Sequence, residues 1–375
     1  MTANHSISFD ASARGLIGAP FGYQSLPVTN IVASMDMDRV PYCAAELTLE
    51  DVSPDVWTAL DPRRPTVLDT DGDIRIRMVR RDAAGNAIDW LGQQDTPSTP
   101  ERFCYLHTRS SRRDYVSGAV TVSAAGAESL LDDRRRISTT DVDTGATTVA
   151  GLVTWALTDT FGGAATTGDP LPYSAAIPTG DRRIMKPGIT FNDLIEPEMD
   201  AIGCRLFNFW GRAWYLNYRD NPPLVNRVAA NVALSTFTAD EGAPRFADPI
   251  VFGIEQTVTR DGDYADGVLI RYDMTKSGGG VSLQRSGDGS NTKGRVITYE
   301  RPAAAAGAAD ILASRTRIRG NEITLECSIR FDIMPGMLLT VYTRSGVLAG
   351  SIRAVTWDAK AGTMTIRAQS GRTVV

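Results

Sequence analysis

Along most of the chain, apolar and polar residues alternate one for one in short runs separated by Gly, Pro, Asp and Asn, the period of strands whose two faces meet different surroundings. Asp73-Ile-Arg-Ile-Arg-Met-Val-Arg80 is the plainest case, with Ile74, Ile76 and Met78 on one face and arginines on the other. Val28–Met35 and Val40–Leu49 flank Asp36-Met-Asp-Arg39 and predict strand, turn, strand. Phe103–Leu106 and Tyr115–Val122 predict two more strands, and Ala84–Ala87 a turn. Asp51–Leu60 reads as a short helix, with Ser53 as N-cap, Pro54 at the first helical position and Pro62 beyond its end. Ala127–Asp132 adds one or two helical turns. Residues 1–27 hold no sustained period and read as an extended arm or docking strand, so residues 28–137 are predicted to form an antiparallel β-barrel domain with one short helix.

The period changes over residues 138–224. Val149, Leu152, Val153, Ala156 and Leu157 recur at helical spacing, and a second helix is predicted after Thr190, which caps it with Asp193 at the third position. Gly203 ends that helix, while Pro197 inside it predicts a kink or a late start. Cys204–Phe209 and Arg212–Tyr218 flank Trp210-Gly211 as a tight hairpin, giving an α+β middle domain. Strand patterning returns over residues 225–375, in Ile250–Thr259, Gly267–Met274, Gly294–Tyr299, Glu322–Phe331, Met337–Thr343, Val347–Thr356 and Thr363–Ala368. A second antiparallel barrel or sandwich follows, interrupted by a long glycine-rich loop over 276–294 and an Ala-rich helix over about 302–317. The predicted class is mainly β: two antiparallel barrel domains bracketing a small helix-containing domain.

Composition narrows the function more than the fold. Hydrophobic residues make up 42% and charged residues 22% of 375, ordinary values for a folded chain. The net charge of −5 lacks the basic excess that drives counterion release, so sequence-specific nucleic-acid binding is not expected. Cys43, Cys104, Cys204 and Cys327 lie far apart in apolar or alternating stretches, the setting of buried small hydrophobes rather than of disulfides or zinc ligands. Residues 1–27 lack the basic start and apolar run of a signal peptide, and no stretch reaches about 18 apolar residues, so neither that export route nor a membrane span is expected.

Catalytic chemistry finds little to work with. The two histidines, His5 and His107, have no nucleophile motif beside them. Asp69-Thr-Asp-Gly-Asp73 hints at a calcium loop but carries Ile74 and Arg80 where an EF-hand needs Gly and Glu, so a turn entering a strand is the better reading. Asp261–Gly267 reads likewise as a capped turn. Gly287–Gly294 holds Lys293 without the phosphate-loop order. Arg134–Arg136 and Arg80-Arg81 read as solvated faces or interface ion pairs. The rings Phe207, Phe209, Trp210, Trp214, Tyr215 and Tyr218 suit the core of a small hairpin, with a carbohydrate platform as the alternative. No catalytic, metal-binding or cofactor-binding residue is assigned.

The order of these segments resembles the minor tail protein that forms the baseplate hub of long-tailed, siphovirus-type actinobacteriophages. The matching segments are Arg39-Val-Pro-Tyr42, Leu47-Thr-Leu49 and Leu60-Asp-Pro-Arg63, then Lys186-Pro-Gly188, Ala201-Ile-Gly203 and Trp214-Tyr-Leu216. Ala303–Ala309, Met334-Pro-Gly-Met337 and Gly362-Thr-Met364 complete the order. The resemblance implies a fold similar to the hubs of contractile tails, and a non-enzymatic homotrimer at the virion tail tip whose two barrels per chain give a pseudo-sixfold ring. It implies as partners the distal tail protein, the tail tube end, the tape measure protein C-terminus and a central fibre or receptor-binding proteins, with the hub gating DNA passage. A tail-associated cell-wall hydrolase or carbohydrate-binding tail protein is the rival reading; a distal tail ring or tube protein is the third.

Overall fold

The computed structural model describes residues 6–16, 19–63, 73–81, 101–162, 166–168, 177, 183–210, 213–218, 231–243, 251–260, 264–273, 280–286, 294–301 and 308–374. The first stretch gives β1 (Ser6–Leu16), β2 (Ala19–Ser25), β3 (Val28–Asp36), β4 (Cys43–Leu49), α1 (Pro54–Ala59), β5 (Ile74–Arg81), β6 (Glu101–Arg113), β7 (Val120–Ala125) and α2 (Glu128–Asp133). Ile74, Ile76 and Met78 are all buried, as strict alternation on a half-buried strand requires. The Ser53 hydroxyl accepts from the Val56 N–H at 3.3 Å and starts α1.

The residues read as an extended arm or docking strand pair into the sheet: β1 runs antiparallel to β5 from Ser6 opposite Arg81 to Ala13 opposite Ile74. Ala11 and Ala13 are buried there, because alanine leaves room for the large side chains of the facing strands. Tyr115–Gly118, expected to extend a strand, forms the turn between β6 and β7.

The middle contains β8 (Val142–Asp143), α3 (Val149–Phe161), β9 (Thr166–Gly168), β10 (Ile184–Met185), α4 (Phe191–Ala201), β11 (Cys204–Phe209) and β12 (Ala213–Tyr218). The Thr190 hydroxyl accepts from the Asp193 N–H at 2.9 Å and the Asp193 carboxylate accepts from the Thr190 N–H at 2.8 Å, the predicted reciprocal cap. α4 runs through Pro197; Leu194, Ile195 and Met199 are buried against α3, and this packing holds the helix where one backbone bond is lost.

The last part contains β13 (Asn231–Ser235), β14 (Val251–Val258), β15 (Gly267–Asp273), β16 (Val281–Arg285), β17 (Val296–Arg301), α5 (Ala308–Ile318), β18 (Asn321–Ser328), β19 (Leu338–Thr343), β20 (Gly346–Asp358) and β21 (Thr363–Val374). β13 and β16 were not anticipated, and the run expected to continue as strand to Phe331 stops at Ser328. β15, β16 and β17 form a small sheet of their own, backed by α5 and inserted between the adjacent strands β14 and β18. Most of the glycine-rich loop and the turn at Ala84–Ala87 lie outside the described residues.

The two strand-dense regions do not stand apart. They share one hydrogen-bonded sheet in the order β14-β18-β21-β20-β3-β4-β7-β6-β5-β1-β2, with β19 and then β13 branching from β20, and among the described strands it does not close into a barrel. The seam is the antiparallel pair β3–β20, with Ala354 opposite Asp36 and Asp358 opposite Val32. Ile31, Met35, Val355 and Trp357 all face one continuous apolar core, which also takes in Phe207 and Phe209 of β11. A second core fills the middle between α3, α4 and β11–β12. Among the described residues no helix is long and apolar enough to cross a membrane.

Candidate functional site

The three parts of the chain meet around the turn between β3 and β4, whose Val40–Pro41 peptide bond is cis. Asp36 and Asp38 of this turn face arginines from the far end of the sequence. Arg367 on β21 donates to the two Asp36 carboxylate oxygens at 3.0 and 3.1 Å, and Arg353 on β20 donates to Asp38 at 2.5 Å. Arg319, just past α5, lies 4.0 Å from Asp38. Arg353 is 3% exposed, and it points inward because the register of β20 against β21 shifts between Ile352 and Ala354. Such a bulge re-aims one side chain while the strand continues.

The opposite side of the turn is held by α2 and β11. The Glu128 carboxylate, at the start of α2, accepts from the backbone N–H groups of Tyr42 and of Asn208, the latter at 2.6 Å. The Arg205 guanidinium of β11 donates to the Met37 carbonyl at 2.5 Å and to the Arg39 carbonyl, and lies 3.9 Å from Glu128. The Asn208 side chain accepts from the Ala127 N–H at 3.1 Å. Glu128 and Arg205 are both buried, and their charged groups are satisfied by backbone N–H and C=O groups.

Burial pushes the Glu128 carboxyl above the usual range, against the pull of Arg205 and the two N–H donors. Burial also works on Asp38, but there the hydrogen bond from Arg353 and the charges of Arg353, Arg319 and Arg367 prevail and hold the carboxyl below its ordinary value of 3.8. A carboxyl with a lowered folded pKa stabilises the fold above its unfolded pKa and loses that contribution as pH falls through the folded value. The stability gap between the native chain and Asp38→Asn should therefore be full near about pH 6 and shrink in acid below 3.8. Urea midpoints across that range measure it; a gap that stays constant into strong acid would show that Asp38 is not held this way.

Between the turn, α2, α4, β11 and the strand β21 opens a cleft of about 660 Å³. Its apolar lining comes from Met37, Val40, Leu131, Met199 and Leu206. Five carboxylates, Asp38, Glu128, Glu196, Asp200 and Glu322, line it against three guanidinium groups, Arg205, Arg319 and Arg367. The cleft is therefore an acid-rich recess with an apolar floor. Among the described residues no group of three or more His, Cys, Asp or Glu is placed to hold a metal ion.

The residues singled out in the sequence mostly serve the fold. Phe207, Phe209 and Trp214 are buried, and Tyr42 packs edge-on against Phe207 at 5.3 Å, so these rings form core rather than an exposed stacking platform. Trp210, at φ 53°, turns the β11–β12 hairpin. Arg135 donates to the Gly188 carbonyl at 2.9 Å and Arg136 pairs with Asp159 at 3.1 Å, so the basic run ties α2 to the middle part. Within the described part of the Asp261–Gly267 segment, Asp266 accepts from the Arg295 N–H at 2.8 Å and the Tyr264 hydroxyl at 2.6 Å. Asp73 lies 3.7 Å from the ring of buried His107. All four cysteines are buried thiols. His5, Asp69–Gly72, Asp261–Asp263, Gly287–Lys293 and the side chains of Arg80, Arg81 and Tyr218 lie outside the described residues.

The Asp36, Asp38, Arg353, Arg367 and Glu128–Arg205 groups were not found from sequence. The available signal was a single charge inside an otherwise apolar strand, as in Cys-Arg-Leu-Phe at 204–207 and Ile-Arg-Ala-Val at 352–355.

No protein-family model and no curated protein matches the chain. Its fold is similar to that of solved phage tail proteins. The tail protein from Neisseria meningitidis MC58 superposes with a TM-score of 0.56 at 10% identity, covering 97% of both chains. The 43 kDa tail protein of prophage MuSo2 from Shewanella oneidensis gives 0.55 at 12% identity, over 96% of this chain and 98% of that one. The prophage tail protein gp18 from Listeria monocytogenes EGD-e gives 0.52 at 9% identity, over 98% and 96%.

Proposed function

We propose that this chain is a structural subunit of a phage tail tip, a hub of three copies that joins the sixfold tail tube and distal tail ring to a threefold central fibre or spike. The observation that carries the reading is a shared fold over nearly the whole length of three proteins named as tail proteins. Conservation of architecture at about a tenth of identical residues fits a part whose job is shape.

Two features of the molecule support assembly. Among the described strands the large sheet ends at β2, at β14 and, on the branch through β19, at β13, and β14 exposes Phe252 at 64% and Val258 at 75%. An open edge with exposed apolar side chains is a template for a neighbouring chain. In this reading the strands of 28–137 and 225–375 form two tube-facing halves in each copy, six around the ring, and the 138–224 part stands off the ring. Opening of the ring's centre on host contact would admit DNA.

Light scattering on the purified chain should give three times the chain mass, and reconstruction of virion tails without imposed symmetry should place this chain in a threefold ring at the tip. A monomer in solution together with a sixfold ring in the tail would end the hub reading.

A further inference from the structure

The hairpin joining β6 to β7 ends in a stiff, exposed knob. The Asp114 carboxylate accepts from the Val116 N–H at 2.8 Å and the Ser117 hydroxyl at 2.7 Å, and the Gly118 N–H donates to the Asp114 carbonyl at 2.9 Å. Gly118 sits at φ +76°, a conformation that glycine adopts without strain. The turn is thus tied to itself, and it holds Tyr115 and Val116 in solvent at 85% and 98% exposure. The Arg113 guanidinium lies over the Tyr115 ring, 5.7 Å from its centre, and Arg112 beside it is exposed. Tyrosine backed by arginine on a pre-ordered turn is the composition of an interface anchor.

The acid-rich cleft lies at the opposite end of the same strands. β4 and β7 pair from Leu49 opposite Val120, next to the knob, to Ala44 opposite Ala125, next to the turn and to Glu128 that line the cleft. That run of strand is roughly 20 Å long at about 3.3 Å per residue, so a knob cannot enter the cleft of its own chain. A second copy presents the cleft to it. The fit is in size and in charge: about 660 Å³ has room for a phenol ring and an isopropyl group over Met37, Val40 and Met199. Asp38, Glu128 and Glu322 are already matched by Arg353, Arg205 and Arg367, and the exposed Glu196 of α4 at the cleft favours the approach of Arg112 and Arg113.

We propose that Tyr115 and Val116 of one copy insert into the cleft beside the β3–β4 turn of the next, a head-to-tail contact between copies of this chain. It rests on the reading that copies assemble in a ring, since a contact between two different patches of one chain closes into a ring when its rotation permits.

The test uses the full chain. Tyr115→Ser with Val116→Ser should leave the far-UV circular dichroism spectrum unchanged, because both side chains are in solvent within the chain, and should weaken self-association in sedimentation velocity by at least about 30-fold, the effect of losing one anchor residue. Mixing Val116→Cys with Glu196→Cys, the latter on the exposed side of α4 at the cleft, should give a cross-linked dimer on mild oxidation. If the native chain is a monomer and no cross-link forms, this contact is wrong, while the ring reading is decided by the symmetry of this chain in the virion tail. If the native chain assembles and the double-serine variant assembles equally well, the ring reading stands and the knob contact is wrong. If the variant loses assembly and no cross-link forms, the knob meets a surface other than the cleft, which also overturns the proposal.

Discussion

Arg205→Ala should cost about 3–5 kcal/mol of stability, the usual penalty for leaving one member of a buried ion pair behind. The arginine is 6% exposed and its guanidinium spans two backbone carbonyls, Met37 and Arg39, while standing 3.9 Å from Glu128. Its removal leaves buried Glu128 and the buried Met37 carbonyl without their partner, and each buried acceptor without a donor adds its own desolvation cost. The loss should appear as an earlier unfolding transition in urea, with amide exchange rising first in β11 and in the β3–β4 turn, since these are the elements that Arg205 ties together. Glu128→Leu in the same chain as Arg205→Met should recover part of the loss, because two matched apolar groups carry no uncompensated charge. Recovery should be incomplete, as the N–H groups of Tyr42 and Asn208 would lack their acceptor. A loss under about 1 kcal/mol for Arg205→Ala would mean that water or a neighbouring group replaces the guanidinium, contrary to this account.

Trp357→Ala should be of similar size, about 3–5 kcal/mol, by a different route. Trp357 is 1% exposed on β20, at the seam where the two strand regions join, opposite Ala33 of β3 and Met364 of β21. Its ring stacks with Trp210 at 6.2 Å and an interplanar angle of 24°, lies 5.8 Å from Phe331, and its Nε1–H donates to the Arg330 carbonyl at 3.1 Å. Alanine would leave a cavity bounded by strands from both ends of the sequence. Trp357→Phe keeps a six-membered ring and loses the Nε1–H donor together with the volume of the five-membered ring, so about 1–2 kcal/mol is expected. Denaturant unfolding followed by hydrogen exchange in β3 and β20 distinguishes the two. Equal losses for phenylalanine and alanine would show that the hydrogen bond, rather than the packing, holds the seam.

Neither effect was legible in the sequence, though the elements that carry both were. Asp36-Met-Asp-Arg39 reads correctly as a turn, and Cys204–Phe209 correctly as a strand. Nothing local states that Arg353 and Arg367, more than three hundred residues later, close on the two carboxylates of that turn. The aromatic run from Phe207 to Trp214 reads correctly as core, since rings at strand spacing in a short hairpin have a helix and a sheet to pack on. The Tyr115–Gly118 segment reads as strand by composition, and turns because Asp114 and Gly118 supply a bond acceptor and a left-handed residue at the right separation.

Local pattern alone determined the class, the positions of most strands and helices, the caps at Ser53 and Thr190, and the absence of a recognisable catalytic motif. These are properties of neighbouring residues, set by periods of two and 3.6 and by which side chains can bond their own backbone. Tertiary structure decided that the two strand-dense regions are one sheet. Strand pairing is indifferent to sequence separation, so the choice of β20 as the neighbour of β3 rests on matching apolar faces and on a buried cluster of charges that only the folded chain brings together.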